Sequence, residues 1–255
     1  MAINPMEQFT VRPVSWAHAP LFHIGHYPIY FTNQALWMLV VVICLSLFLT
    51  LAVTKGRVVP TRAQSLAELS YEFVGNMIDM TAGPAGLRFF PLIFTIFMFI
   101  LFCNGFGLLP IAFTVTSQIA ITFGLTAVVI ITAIITGFAR HGFGFLKLFV
   151  IKAPIIIMLP MVLLEFISFC ARPFSLSMRL FANMLAGHTM LKVMAGFVIA
   201  LGTAGGVYTA LAAAPEALIV ALTALEFLVA FLQAYVFAIL SCIYLSEALH
   251  LHDNH

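Results

Sequence analysis

The chain has 255 residues, of which 63% are hydrophobic and only 8% are charged, and its formal net charge is +2. Soluble domains are about 25% charged, so this composition excludes a soluble domain, which needs more charge for its surface. The small net charge includes no basic run, which excludes a nucleic-acid partner. The sequence therefore predicts a membrane protein.

The first element is an N-terminal arm over residues 1–32. It is rich in proline and histidine and lacks the basic flank and apolar core of a cleavable signal peptide. We expect this arm to be irregular or to lie at the membrane interface. The first transmembrane span is predicted over 33–53, and it stops before Lys55 and Arg57.

Residues 61–80 are too polar to cross a membrane, but their apolar and polar residues recur with helical spacing. This pattern predicts an amphipathic helix that lies on the membrane surface. Ser65 and Glu68 have the spacing of an N-terminal capping box. The predicted apolar face consists of Leu66, Leu69, Phe73 and Met77, and the polar face consists of Glu68, Glu72, Asn76 and Asp79.

Two further spans are predicted over 89–111 and 117–138. The link between them is about five residues long, and such a short link joins antiparallel neighbours. Residues 89–138 are therefore expected to form an upright helical hairpin.

The segment 155–249 contains the longest apolar stretches. As a single helix, residues 155–201 would be about 65 Å long, roughly twice the hydrocarbon thickness of a bilayer. A glycine-rich stretch over 202–206 precedes a last helix over 216–249, which is also too long for an upright crossing.

Two arrangements of this segment fit the sequence. One divides 155–201 into two upright spans, and the other tilts both long helices strongly as a hairpin. We favour the tilted hairpin because no strong helix breaker divides 174–201, although Pro173 can kink the helix. The predicted fold class is therefore all-α. It is a polytopic membrane protein with one N-terminal span, a surface helix, an upright hairpin over 89–138 and a long tilted hairpin over 155–249.

The orientation follows from basic residues near the spans, which concentrate on the cytoplasmic or matrix side. The N-terminus and the turns near 112–116 and 202–215 are predicted to face outward, and the C-terminus to face inward. The inward basic residues are Lys55, Arg57, Arg62, Arg88, Arg140, Lys147 and Lys152.

Polar residues on the long helices recur at steps of seven, which nearly repeat one helical direction. One interpretation is that they pair with one another and lock the two helices together, and we favour it for Arg172. On the last helix, Glu226 and Gln233 are seven residues apart. On the long helix over 155–201, the polar stripe contains Glu165, Arg172, Arg179 and Asn183. Ser168 and Ser175 lie beside this stripe, and His188 lies on the opposite face.

Arg179 favours a functional interpretation. Its guanidinium remains protonated in proteins, and placing it at bilayer depth costs about 3 kcal/mol on insertion scales. An arginine in this position needs an acidic partner or a wet cavity. We therefore expect Arg179 to belong to a functional site.

The stretch Ser175-Leu-Ser-Met-Arg179-Leu-Phe-Ala-Asn183-Met-Leu-Ala-Gly187-His188 resembles the signature of subunit a of F-type ATP synthases. Two other stretches are similar to motifs of that family: Asn104-Gly-Phe-Gly-Leu-Leu-Pro110 on the second span, and Glu226-Phe-Leu-Val-Ala-Phe-Leu-Gln233-Ala-Tyr235-Val-Phe on the last helix. The resemblance extends over the whole chain. It implies a tilted helical hairpin that lies against a rotating ring of small subunits.

The resemblance also implies which residues take part in proton translocation. Arg179 corresponds to the essential arginine of the family, and His188 and Glu226 correspond to its histidine–acid pair. This pair suits an entry path from outside, and Arg179 separates that path from an exit path inside. Glu165, Ser168 and Ser175 suit the exit path. Gln233 and Asn183 are the other residues expected to take part in proton translocation.

The partners implied are the c-ring, a peripheral stalk of the subunit b type, other membrane-sector subunits and membrane lipid. The location implied is a bacterial inner (plasma) membrane or a mitochondrial inner membrane. The sequence has no phosphate-binding loop and no nucleophile constellation, so we expect a non-catalytic subunit without a cofactor.

Two alternatives remain open from the residues themselves. A proton-coupled secondary transporter also uses intramembrane Arg, Glu and His residues, but it usually shows two similar halves. An intramembrane metallohydrolase needs clustered ligands, and no HExxH motif occurs. The histidines of the tail (His250, His252 and His255) are expected to be solvated, and the four cysteines to be buried small residues rather than metal ligands.

Overall fold

The computed structural model describes residues 9–13, 22–24, 27–54, 60–109, 112–142, 144 and 155–249. Several residues used in the sequence analysis lie outside these ranges. They are Lys55, Arg57, Lys147 and Lys152 of the orientation prediction, and the tail histidines His250, His252 and His255.

The N-terminal arm contains a short antiparallel ribbon. Strand β1 (Phe22–Ile24) pairs with strand β2 (Tyr27–Ile29), with Phe22 opposite Ile29. Residues 9–13 return to the first helix, α1 (Asn33–Thr54), where the Asn33 amide donates to the carbonyl of Arg12 at 3.0 Å. The part of the arm near Phe9 is therefore fixed to the beginning of α1.

Helix α2 (Arg62–Gly86) begins earlier than its predicted capping box. The N-cap is Thr61, whose side-chain oxygen accepts a hydrogen bond from the Gln64 amide at 3.4 Å. The capping box predicted at Ser65 is wrong, because Ser65 already lies in the first turn. The helical conformation breaks at Gly83, which has φ 64°, a value that favours glycine.

The predicted apolar face of α2 is not packed as a single surface. Met77 is buried, whereas Leu66 and Leu69 are exposed. The physical reason is that α2 carries a second apolar stripe at spacing four, and this stripe packs inward. The buried residues are Gln64, Val74, Met77, Ile78, Ala82 and Gly86.

A one-turn 3-10 helix (Leu87–Phe89) leads into α3 (Phe90–Gly107), and α4 follows at Ile119–His141. The predicted five-residue link is wrong, because 108–118 lies between the two helices. Within it, Val115–Ser117 forms a second 3-10 helix whose three residues are buried, so they do not extend α4.

The long helices are α5 (Ile155–Ala204) and α7 (Ala213–Leu249), and the short α6 (Val207–Leu211) lies between them. Helix α5 has 50 residues and continues through Pro160 and Pro173, so it is about 75 Å long. This continuity excludes the alternative in which 155–201 forms two separate upright spans. The tilt of the two helices remains a prediction.

Five helical stretches in the described part of the chain are long and apolar enough to cross a membrane. They confirm the all-α, polytopic membrane class of the fold. The surface position of α2 remains a prediction. The stretches are Asn33–Thr54, Arg62–Gly107, Ile119–Arg140, Pro160–Ala204 and Tyr208–Leu249.

The chain divides into two compact units, to which α1, α3, α5 and α7 each contribute different portions. Unit 1 consists of Met1–Ser46, Phe99–Gln118 and Leu180–Gln233. Unit 2 consists of Leu47–Met98, Ile119–Arg179 and Ala234–His255.

Candidate functional site

In unit 1, α5 and α7 bring His188 and Glu226 together. His188 Nε2 lies 3.6 Å from Glu226 Oε1, and the two side chains are 11% and 6% exposed. Among the described residues, neither His188 Nε2 nor either carboxylate oxygen of Glu226 has a hydrogen-bond partner. Buried polar atoms normally have one. Since imidazole and carboxylate can each hold a proton, the pair is suited to receive a proton and pass it on.

Gly187 makes room for this pair. A β-carbon added at Gly187 would lie 2.6 Å from Glu226 Oε1 and 3.0 Å from Glu226 Cδ. Real β-carbons do not make contacts that short, so only glycine lets the Glu226 carboxylate approach the α5 backbone this closely. Gly187 belongs to the motif around Arg179, but no local pattern in the sequence indicates this close approach.

A second polar contact joins the same two helices. Asn183 Nδ2 donates to Gln233 Oε1 at 2.9 Å. Gln233 is buried, and its Nε2 has no partner among the described residues. Asn183 precedes Gly187 by about one turn, so α5 presents a row of polar contacts to α7 rather than one isolated pair.

Asn104 holds α7 near these contacts and is fully buried. Its Nδ2 donates to the carbonyl of Ala230 at 3.2 Å, and its Oδ1 accepts from Thr116 Oγ1 at 2.9 Å. Ala230 lies between Glu226 and Gln233 on α7. Asn104 belongs to a motif named in the sequence analysis, but the partner on α7 is 126 residues away, and no local pattern indicates it.

Phe9 of the N-terminal arm lies beside the histidine. Its ring centroid is 6.5 Å from that of His188, with the ring planes at 59°. Gln118 Nε2 donates to the Phe9 carbonyl at 2.8 Å and fixes its position. Sequence reasoning found no motif in this arm, because a lone phenylalanine in an irregular segment carries no signal.

In unit 2, Arg172 bridges α5 and α7. Its guanidinium contacts the Glu247 carboxylate and lies 3.7 Å from Glu165 Oε1. The guanidinium also lies over the Tyr244 ring, 5.9 Å from its centroid. These contacts agree with a locking role for Arg172. They also place Glu165, a predicted exit-path residue, in an ion pair.

Arg179 differs from Arg172 in its surroundings. Arg179 is exposed, and no carboxylate of the described residues lies within 4.0 Å of its guanidinium. Ser168 and Ser175 are exposed as well. Ser177 instead points inward, where its hydroxyl lies 3.0 Å from that of Thr122 on α4. No local pattern in the sequence distinguishes this buried pair.

Among the described residues, no group of three or more His, Cys, Asp or Glu side chains is arranged to hold a metal ion. Cys44, Cys103, Cys170 and Cys242 are free thiols.

The fold and site together define a multi-pass membrane protein in which two long helices bring polar and titratable side chains into contact. The sequence profile described as ATP synthase A chain matches residues 35–246. The chain is 52% identical over 249 residues to ATP synthase subunit a of Mesorhizobium japonicum, covering 97% of each chain. It is 51% identical over 253 residues to ATP synthase subunit a of Pelagibacter ubique, covering 99% of this chain and 100% of the relative.

The chain therefore belongs to the ATP synthase subunit a family, as the motif around Arg179 suggested. This membership argues against both the secondary transporter and the metallohydrolase.

Replacing Gly187 by alanine should destabilise the contact between α5 and α7, because the new methyl group collides with the Glu226 carboxylate. Overpacking costs about 1–3 kcal/mol, and because the atoms in the way are the end of a flexible side chain that can move aside, we expect the loss at the lower end of that range, which thermal unfolding of the purified protein in detergent can measure. Adding Glu226→Asp, which shortens the side chain, should recover part of the loss.

Gly202→Ala is the matched control on the same helix. Nothing lies within 4 Å of a β-carbon built there, so we expect no loss of stability. Equal losses at both glycines would show that the approach of Glu226 to Gly187 is unimportant.

Proposed function

We propose that this chain is the proton-translocating stator subunit of an F-type ATP synthase. It provides two offset half-channels that load and unload carboxylates of a rotating c-ring, and Arg179 prevents protons from passing directly between them. The observation that carries the proposal is the contrast between Arg172, which has two carboxylate partners, and Arg179, which has none among the described residues.

An arginine inside a membrane needs a negative partner or water. Arg172 finds its partners within the chain, so its charge serves the contact between α5 and α7. Arg179 is exposed on a helix whose neighbouring exposed residues are largely apolar, such as Phe174. Because no carboxylate of the described residues pairs with Arg179, we assign its partner to a neighbouring protein, and a carboxylate on a ring subunit meets the requirement. The fixed positive charge favours the ionised form of that carboxylate.

The entry path is assigned to the polar contacts of unit 1. His188 and Glu226 receive the proton, and Asn183 and Gln233 continue the polar surface along α5 and α7. Because buried atoms of His188, Glu226 and Gln233 lack partners among the described residues, water or a transferred proton has groups to bind there. Phe9, held by Gln118, borders this path at His188.

The exit path is assigned to Glu165, Ser168 and Ser175 in unit 2. The two serines are exposed, and the Glu165 side chain remains 32% exposed while it pairs with Arg172. Hydroxyl and carboxylate groups at an accessible helix face can hold water and accept a proton. Along the continuous α5, Arg179 follows Ser175 by four residues and precedes His188 by nine.

The chain makes no ATP itself, and the rotation that it drives is used by other subunits. A ring carboxylate is protonated from the entry path, turns away through the lipid, and releases its proton to the exit path after nearly a full rotation. The partners are accordingly the c-ring, a peripheral stalk of the subunit b type and other membrane-sector subunits. The chain lies in a bacterial inner (plasma) or mitochondrial inner membrane, with its N-terminus outside and its C-terminus inside.

The orientation can be measured by cysteine labelling in a chain whose Cys44 and Cys170 are replaced by serine. Ser65→Cys should react with a membrane-impermeant maleimide only from the inner side, and Leu109→Cys only from the outer side. Ile131→Cys, on the exposed apolar face of α4, should react from neither. The reverse pattern at the first two positions would refute the assignment of entry and exit.

The entry pair can be tested by exchanging its two residues. If His188 and Glu226 share one path, His188→Glu with Glu226→His should pump protons better than either single alanine variant. Groups in one network couple by about 0.5–3 kcal/mol. Thr223→Ala, whose hydroxyl donates to a carbonyl of its own helix, controls for any general effect on α7. A double exchange no better than the worse single variant would argue against a shared path.

Arg179 provides the decisive experiment. Arg179→Ala and Arg179→Lys should both assemble with the ring, because no carboxylate of the described residues pairs with Arg179. ATP-driven proton pumping in vesicles should be lost in both, since lysine lacks the planar five-donor fork and can lose its proton. Arg179→Ala vesicles should also leak protons.

Arg172→Ala is the matched comparison on the same helix. It leaves Glu165 and Glu247 without their cation, so we expect poor assembly rather than normal assembly without pumping. The content of complex is measured beside pumping in every preparation. Normal pumping by an assembled Arg179→Ala complex would overturn the proposed mechanism.

A further inference from the structure

A basic cleft lies between the 3-10 helix that precedes α3 and the last turn of α4, within unit 2. It has a volume of about 510 Å³. Arg88 comes from the 3-10 helix that precedes α3, and Arg140 from the last turn of α4. The lining residues are Arg88, Phe89, Ile135, Thr136, Ala139 and Arg140.

Both arginines of this cleft are exposed, and neither has a carboxylate within 4.0 Å among the described residues. Two fixed positive charges that line one cleft repel each other, and an anion between them removes that repulsion. Guanidinium groups match the oxygens of a phosphate in paired hydrogen bonds. The charge of the cleft therefore indicates a phosphate-bearing ligand.

The surface that continues from the cleft is apolar. On α4, exposed apolar residues recur at steps of three and four from Phe138 towards the middle of the helix, which places them on one face, and Ile135 of this face also lines the cleft. These residues are Val128, Ile131, Ile135 and Phe138. A free phosphate would leave this apolar surface uncovered, whereas the acyl chains of a lipid would cover it.

We propose that the cleft of Arg88 and Arg140 is a binding site for an anionic phospholipid. The phosphate lies between the two guanidinium groups, and the acyl chains lie along the exposed face of α4. Basic pockets between transmembrane helices bind anionic lipid headgroups in this way. Neither arginine takes part in the proposed proton paths. The bound lipid would instead hold the start of α3 and the end of α4 at the level of the headgroups.

The test measures lipid selectivity of the full-length chain, both alone and within the purified ATP synthase complex. Each is reconstituted in phosphatidylcholine vesicles that contain spin-labelled phosphatidylglycerol or spin-labelled phosphatidylcholine, and the immobilised lipid is quantified. We expect phosphatidylglycerol to be preferred. Arg88→Gln and Arg140→Gln should each lower its relative association constant about fivefold, which corresponds to about 1 kcal/mol per charge.

Three comparisons make the result specific. Arg62→Gln removes an exposed inner-side arginine that does not line the cleft, and it should leave the preference unchanged. Arg88→Lys with Arg140→Lys keeps both charges and should retain most of the preference, which separates loss of charge from loss of fold. Excess inorganic phosphate at constant ionic strength should not displace the lipid.

Several outcomes would overturn the proposal. One is a full preference for phosphatidylglycerol in the double glutamine variant, and another is the loss of that preference in the double lysine variant. Displacement by inorganic phosphate would show a general anion site instead. A preference present in the isolated chain but absent from the complex would show that another subunit covers the cleft.

Discussion

Polar groups in hydrocarbon are tolerated where they pair, and in this protein the contact between α5 and α7 satisfies that requirement. In unit 1, Asn183 meets Gln233 and His188 meets Glu226. In unit 2, Arg172 meets Glu247 across the same two helices. The two sets differ in kind, because the ion pair has its charges matched, whereas the histidine–acid pair keeps buried atoms without partners among the described residues. The Arg172–Glu247 ion pair therefore stabilises the contact between the helices, whereas the His188–Glu226 pair keeps atoms that can still bind a proton or water.

The supporting residues explain why the unmatched pair is stable in its position. Gly187 admits the Glu226 carboxylate against the α5 backbone, and Asn104 holds the α7 carbonyl one turn beyond it. The proposed entry path requires a site that keeps its geometry without using up the hydrogen-bonding capacity of its titratable groups. Here backbone proximity and a neighbouring amide supply that geometry, so the carboxylate and imidazole themselves remain available.

Periodicity explains what the sequence predicted of this fold, namely the long apolar helices and the shared face of Glu226 and Gln233 on α7. Apolar runs set the helix lengths, and steps of seven set which residues share a face of α5 or α7. Prediction from the sequence failed where two local patterns were equally good, as with Thr61 and Ser65 as caps of α2. It also could not indicate contacts between distant segments. Phe9 beside His188 and Glu247 beside Arg172 depend on how the chain returns on itself, which no local pattern records.

Because α5 runs unbroken from Ile155 to Ala204, the number of residues between two of its polar side chains determines the directions in which they point. An inserted or deleted residue between Glu165 and His188 would turn everything beyond it by about 100° about the helix axis. Arg179 and the histidine would then no longer face their present directions at the same time. The connection after Ala204, where Gly205 and Gly206 already leave the helical conformation, can change length without this effect. The connection therefore tolerates a change in length that the helix does not.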